Sequence, residues 1–86
     1  MKPMLVHVVQ ARHVAAHRVW VRFDDGVEGE IDLAAELGGD VFAPLRDAAY
    51  FATFRVDDTL TWPNGADFAP EFLHELVVAG RARRAK

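Results

Sequence analysis

The stretch Trp62-Pro63-Asn64-Gly65-Ala66-Asp67-Phe68-Ala69-Pro70 joins an apolar segment to the last amphipathic segment of the chain. Pro63 cannot donate a backbone hydrogen bond to a sheet, so it ends the strand before it. Asn64-Gly65 is a strong turn dipeptide because both residues accept positive φ. Asp67 offers a carboxylate to the free amides at a helix start, and Pro70 suits the first helical position. The stretch therefore predicts a strand, a turn and a helix in succession, with a structural task for each conspicuous residue.

The segment after Pro70 has the pattern of an amphipathic helix. Phe72 and Leu76 lie four positions apart and share one apolar face. Gly80 has the residue type that most often ends a helix in the left-handed conformation. We therefore predict a C-terminal helix that ends at Gly80 and a frayed basic tail over 81–86.

Upstream of the stretch, the first third of the chain reads as three strands. Positions 4–14 are rich in β-branched residues, and 18–23 alternate between apolar and polar side chains. Asp-Asp-Gly at 24–26 supplies a hairpin turn, and 27–32 alternate again. These segments predict an antiparallel meander with one buried face.

The middle of the chain is less regular. Residues 33–37 and 41–47 suit short helical turns, while 51–57 and 59–62 read as fourth and fifth strands. The predicted fold class is α+β, with a mostly antiparallel sheet of about five strands, short middle helical turns and one C-terminal helix packed on it. A single domain is predicted over 1–80.

One face of the predicted meander combines charges with an aromatic ring. Arg18 and Arg22 are expected to lie opposite Glu30 and Glu28 across the hairpin, as a cross-strand charge ladder. Trp20 falls on this same charged face, where it is either covered by a helix or available as an interaction anchor. These five residues form the candidate interaction surface.

Composition limits the classes of function. The chain has 86 residues, 51% of them hydrophobic and 27% charged, which is typical of one small soluble domain. It has no cysteine, and its N-terminus lacks the apolar core of a secretory signal, so we expect a cytoplasmic protein. Residues 1–80 carry six basic against thirteen acidic side chains, which argues against a duplex-binding face. A nucleic acid or an acidic partner could be contacted only by the basic tail.

Several motifs together resemble a known family. They are Phe-Asp-Asp-Gly at 23–26, Ile-Asp-Leu at 31–33, Val-Phe-Ala-Pro-Leu at 41–45 and the segment 62–71. The chain resembles, from about 8 to 76, the small bacterial family catalogued as domain of unknown function 2442. The resemblance implies an α+β fold with a mostly antiparallel sheet packed by helices, and it implies no activity, cofactor or catalytic residue. Similar proteins lie beside small partners in toxin–antitoxin-like gene pairs, which favours a regulatory binding role.

Histidines could suggest a metal site. His13 and His17 have the i, i+4 spacing that chelates a metal on a helix. They bracket a connection between strands, so this helical geometry is not expected. We predict no metal site and no cofactor.

Carboxylates could suggest a small metal-dependent enzyme, with Asp57, Asp58 and Asp67 acting beside a histidine. Turn formation and helix capping account for the same residues. The favoured hypothesis is a noncatalytic protein-binding or regulatory module whose partner is another small protein or a second copy of the chain. The enzyme and a nucleic-acid accessory protein acting through 81–86 are the alternatives. Partner identity, oligomeric state and the exposure of Trp20 are left open.

Overall fold

The structure is a computed structural model that describes residues 6–84, with side chains described through residue 80. Within this part of the chain the elements are β1 Val8–Ala15, β2 Arg18–Phe23, β3 Glu28–Asp32, two 3-10 helices at Ala34–Glu36 and Ala43–Arg46, α1 Ala48–Phe51, β4 Arg55–Val56, β5 Leu60–Thr61 and α2 Pro70–Arg84. The fold is α+β, as predicted.

The strands form two antiparallel sheets. The larger sheet has the order β1-β2-β3, and β4 with β5 forms a separate two-stranded hairpin. The prediction of about five strands in one sheet is therefore wrong in its arrangement, although the antiparallel pairing is confirmed. The two sheets meet where the Val8 N–H donates to the Asp58 carbonyl, at 2.9 Å. Strands β4 and β5 have only two residues each.

The predicted fourth strand over 51–57 is wrong in its first half. Phe51 ends the short helix α1, and only Arg55–Val56 is strand. The Asp47 carboxylate caps this helix by accepting from the Ala49 N–H at 2.9 Å. Because α1 turns its last residue inward, the Phe51 side chain is fully buried. The Asp47 cap and the burial of Phe51 thus outweigh the local preference of this segment for a strand.

Helix α2 continues past Gly80 to Arg84, so the prediction that Gly80 ends it is wrong. Among the described glycines only Gly26, Gly39 and Gly65 have positive φ. Gly80 keeps a helical backbone instead of the left-handed conformation of a C-terminal cap. The backbone of 81–84 belongs to the helix, while the last two positions of the predicted basic tail lie outside the described residues.

The core lies between the larger sheet and α2. Val19, Val21 and Phe23 on β2 are buried, as their alternation predicts, and Leu73 and Val77 of α2 are buried with them. The sheet therefore has two different faces: α2 covers the apolar face, and the charged residues lie on the other.

Gly29 permits the close approach of α2 to the sheet. It pairs with Val21, so it lies on the apolar face of β3. A Cβ atom at Gly29 would be only 2.9 Å from the Val77 Cγ1 atom. The missing side chain is therefore what lets Val77 pack against β3.

The segment 62–70 begins with a closed turn. The Trp62 N–H donates to the Ala66 carbonyl, and the Gly65 N–H donates to the Trp62 carbonyl, both at 2.9 Å. Gly65 has φ of 90°, and the Asn64 side chain donates to the Val41 carbonyl at 2.9 Å. The predicted turn is confirmed, and Asn64 also ties it to the middle of the chain.

Asp67 has a different task from the predicted one. It forms an isolated antiparallel bridge with Thr61. The helix begins at Pro70, and the Ala69 carbonyl accepts from the Phe72 and Leu73 N–H groups. The capping position is therefore Ala69, so the prediction that Asp67 caps the helix is wrong.

Candidate interaction surface

The candidate surface is the sheet face opposite α2, which we call the outer face. It carries Arg18, Trp20 and Arg22 from β2 and Glu28 and Glu30 from β3. Side chains alternate between the two faces of a strand. Because the residues between these five face the core, the five side chains lie on the outer face. The structure thus brings together all five residues of the predicted surface.

Two ion pairs connect the strands across this face. Arg18 Nη2 lies 2.7 Å from Glu30 Oε1, and Arg22 Nε lies 4.0 Å from Glu28 Oε1. Arg22 lies directly opposite Glu28, as predicted. Arg18 lies opposite Asp32, so its predicted position opposite Glu30 is wrong, and these two side chains meet diagonally. Exposed pairs of this kind contribute only about 0–1 kcal/mol each, so their main effect is to orient the side chains.

Trp20 is half-buried, and arginine side chains pack against it. The Arg12 Cζ atom lies 4.9 Å from the centre of the indole ring, and the Arg22 Cζ atom lies 5.9 Å from it. Each cation–π contact of an exposed ring contributes about 0.5–1 kcal/mol. Because α2 packs on the opposite face, the indole is flanked by guanidinium groups and not by that helix.

Arg12 is a member of the outer face that sequence reasoning missed. It pairs directly with Trp20 in the β1–β2 register. The signal in the sequence was weak because β1 contains two register shifts, between Val8 and Gln10 and between His13 and Ala15. A β-bulge moves side chains from one face to the other, so alternation alone could not place Arg12.

The four histidines have separate partners. His13 and His17 donate through Nε2 to the carbonyls of Ala16 and Leu45, each at 2.9 Å. His7 lies 3.9 Å from an Asp58 carboxylate oxygen. In the described part of the chain, no group of three or more His, Cys, Asp or Glu side chains is placed to hold a metal ion.

The carboxylates of the enzyme alternative lie in turns. Asp57 donates its N–H to the Thr59 carbonyl at 2.8 Å, and Asp58 has a positive φ of 63° in the same β4–β5 turn. Asp67 forms the bridge with Thr61. Each of these residues therefore takes part in a local backbone arrangement.

A contact between His74 and Asp25 joins α2 to the β2–β3 turn, and sequence reasoning missed it. His74 Nε2 lies 2.8 Å from Asp25 Oδ2, and the His74 ring packs edge-on against Phe23 with 4.9 Å between ring centres. His74 is 7% exposed, whereas its aspartate partner is partly open to solvent. The contact secures one end of α2 to the hairpin.

The hydrogen bond from the Val27 N–H, with a further contribution from His74, holds the pKa of Asp25 below its ordinary value of 3.8. A folded-state pKa below the unfolded one stabilises the protein at higher pH, and the stabilisation is lost as pH falls through the folded value. We therefore expect wild type to lose stability below about pH 3.8 more steeply than Asp25→Asn. Urea unfolding over acidic pH values measures both slopes. Equal slopes would contradict this prediction.

The structure defines a small α+β module with two different sheet faces. One face forms the core with a helix, and the other carries an aromatic ring beside ion-paired side chains. A family model described as protein of unknown function (DUF2442) matches residues 8–78. The chain belongs to this family. No curated protein and no solved structure matches the chain. Within residues 6–84, no helix is both long and apolar enough to cross a membrane.

Proposed function

We propose that this chain is a noncatalytic protein-binding module with a regulatory role, and that its outer face is the binding surface. The observation that carries the proposal is the position of Trp20. This large aromatic side chain is half-buried on the sheet face opposite the core, with the Cζ atoms of Arg12 and Arg22 at 4.9 and 5.9 Å from its ring centre. A residue in this position contributes little to the core.

The composition of the outer face suits protein recognition. Tryptophan and arginine are enriched among residues that dominate binding energy at protein interfaces. Stacking on Trp20 already restricts Arg12 and Arg22, so less side-chain freedom is lost on binding. The neighbouring pairs Arg18–Glu30 and Arg22–Glu28 present both signs of charge, which would orient a complementary partner.

The proposed partner is another small protein, and a second copy of the chain is the alternative. The gene-pair association suggested by the family resemblance supports a regulatory partner. A cytoplasmic location is part of the same proposal, since a regulatory pair of this kind would act inside the cell.

The test is to purify the partner from the organism that encodes the chain and to measure its affinity for purified variants. We expect Trp20→Ala to weaken binding at least about tenfold, equivalent to about 1.4 kcal/mol, because an interface anchor is lost. Val78→Ala changes an exposed residue of α2 and should leave the affinity unchanged. Recovery of no partner, with only self-association in solution, or equal affinity for Trp20→Ala would contradict the proposal.

A further inference from the structure

Strand β3 has one side that is not paired with another strand in the described part of the chain, because the sheet order is β1-β2-β3. The Phe23 N–H donates to the Val27 carbonyl, and the Leu33 N–H donates to the His17 carbonyl. In an antiparallel ladder, alternate residues bond to the same neighbour. The odd-numbered residues from 27 to 33 therefore face β2. The backbone N–H and C=O groups of Glu28, Glu30 and Asp32 point to the open side, which we call the β3 edge.

The other outer strand of the sheet is less suited to strand addition. The Val8 N–H of β1 is already bonded to Asp58, and β1 contains two register shifts. Bulges of this kind disrupt the regular row of backbone groups that a new strand needs. The pairing of β3 with β2 has no register shift. The β3 edge is thus the regular edge of this sheet.

A groove of about 150 Å³ runs beside the β3 edge. Its lining comes from β3 and from the second half of α2: Glu30, Ile31, Asp32, Leu76 and Gly80. Gly80 leaves space here, since a Cβ atom at this position would meet no heavy atom within 4 Å. A strand added at the β3 edge would place every second side chain against this groove.

The remaining side chains of an added strand would lie on the outer face. There they would meet the carboxylates of Glu28, Glu30 and Asp32, the outward residues of β3. Arg22 and Arg18 contact the first two from the β2 side, while the added strand would approach all three from the open side. Opposite charges on directly neighbouring strands are favourable, and like charges are not. The charge of the edge therefore selects lysine or arginine at the outer positions, and the groove selects small apolar residues at the positions between them.

We propose that the β3 edge binds an extended segment of a partner protein as an added strand, in which basic side chains alternate with small apolar ones. This inference rests on the proposed function and names the class of partner segment that the same module would recognise. Backbone hydrogen bonds give affinity in this mode of recognition, and alternate side chains give specificity.

The probe is a blocked synthetic peptide of alternating arginine and valine, with an alternating glutamate and valine peptide for comparison. We expect the basic peptide to slow hydrogen exchange at the amides of Glu28, Glu30 and Asp32, because the added strand would bond to them. Added salt should weaken its binding. The acidic peptide should have no effect. Absence of protection by the basic peptide at millimolar concentration would overturn the proposal.

Gly80→Leu tests the groove without changing any charge. Glu30→Pro tests the backbone edge when it is compared with Glu30→Gln, which removes the same charge but keeps the N–H. Gly80→Leu fills the groove, and Glu30→Pro removes an outward N–H without removing a bond to β2. Each should weaken peptide binding at least about tenfold, which corresponds to about 1.4 kcal/mol. Val78→Leu enlarges an exposed residue of the same helix and should bind as wild type does. Thermal unfolding establishes that each variant is folded before its affinity is interpreted.

The outcomes distinguish this inference from the proposed function. If both variants bind the peptide as wild type does, the edge proposal is wrong, while loss of the natural partner in Trp20→Ala would still support the outer face. If the free protein self-associates with protection of the same three amides, the occupant is a second copy and the proposal of a partner segment is overturned.

Discussion

Replacing Trp62 with alanine is expected to lower the free energy of unfolding by about 3–5 kcal/mol. Trp62 is 2% exposed, and its indole contacts the rings of Phe51, Phe54 and Phe68 with centres 5.4 to 6.1 Å apart. Its Nε1–H donates to the Phe51 carbonyl at 2.8 Å. The substitution removes both the aromatic packing and this bond, so it leaves a cavity and a carbonyl without its donor. Chemical denaturation monitored by circular dichroism measures the loss.

Trp62→Phe serves as the matched variant. It keeps an aromatic ring in the core but removes the Nε1–H donor to Phe51. We expect a smaller loss of about 1–3 kcal/mol, which is the usual cost of an unsatisfied buried acceptor. If Trp62→Ala were as stable as wild type, Trp62 would not be the centre of the aromatic core.

Replacing Gly29 with alanine is expected to destabilise the protein by about 1–3 kcal/mol. A change from glycine to alanine usually has the opposite effect, because it lowers the conformational entropy of the unfolded chain. The backbone at Gly29 does not need positive φ, so the cost comes from the new Cβ atom, 2.9 Å from Val77 Cγ1. Val77 is buried and β-branched, so it has little freedom to move aside. Gly38→Ala is the control, since a Cβ there meets nothing within 4 Å. Equal stability of the two variants would contradict the prediction.

A double mutant identifies the contact responsible. Val77→Ala removes the Cγ1 atom that the new Cβ of Gly29→Ala would meet. Residues in contact give non-additive changes in stability. We expect the Gly29→Ala/Val77→Ala protein to lose less stability than the sum of the two single losses, by about 1 kcal/mol. Additive losses would place the strain elsewhere.

The two tryptophans divide the tasks of the molecule. Trp62 is buried among aromatic side chains, while Trp20 lies half-buried on the outer face beside two arginines. Substitution of Trp20 should therefore change binding with little effect on stability, and substitution of Trp62 should change stability first. The contrast gives a direct way to separate loss of partner from loss of fold.

Much of the larger sheet could be predicted from the sequence. The bounds of β2, Arg18–Phe23, agree with the predicted strand at both ends. Its ion pairs with Glu28 and Glu30 also followed from the sequence, because alternation with period two assigns each side chain to a face. The turn at Gly65 followed from a dipeptide that accepts positive φ.

The errors of prediction lie where distant residues compete with local preference. Phe51 has a strand-like neighbourhood in the sequence, but the Asp47 cap and burial beside Trp62 place it at the end of a helix. Gly80 has the residue type of a helix end, yet its backbone remains helical. A local sequence pattern indicates a preference for helix or strand. Packing against residues elsewhere in the chain decides whether that structure forms.

The sequence by itself determined the α+β class, the bounds of β2 and the face on which Trp20 lies, because these depend on neighbouring residues or on alternation with period two. Only the tertiary structure decided that Arg12 stacks on Trp20, that His74 reaches Asp25 across 49 positions, and that β3 keeps an edge beside α2. These features depend on β-bulges, on the path of the helix and on sheet order. Such features arise from contacts between segments that are far apart in the chain.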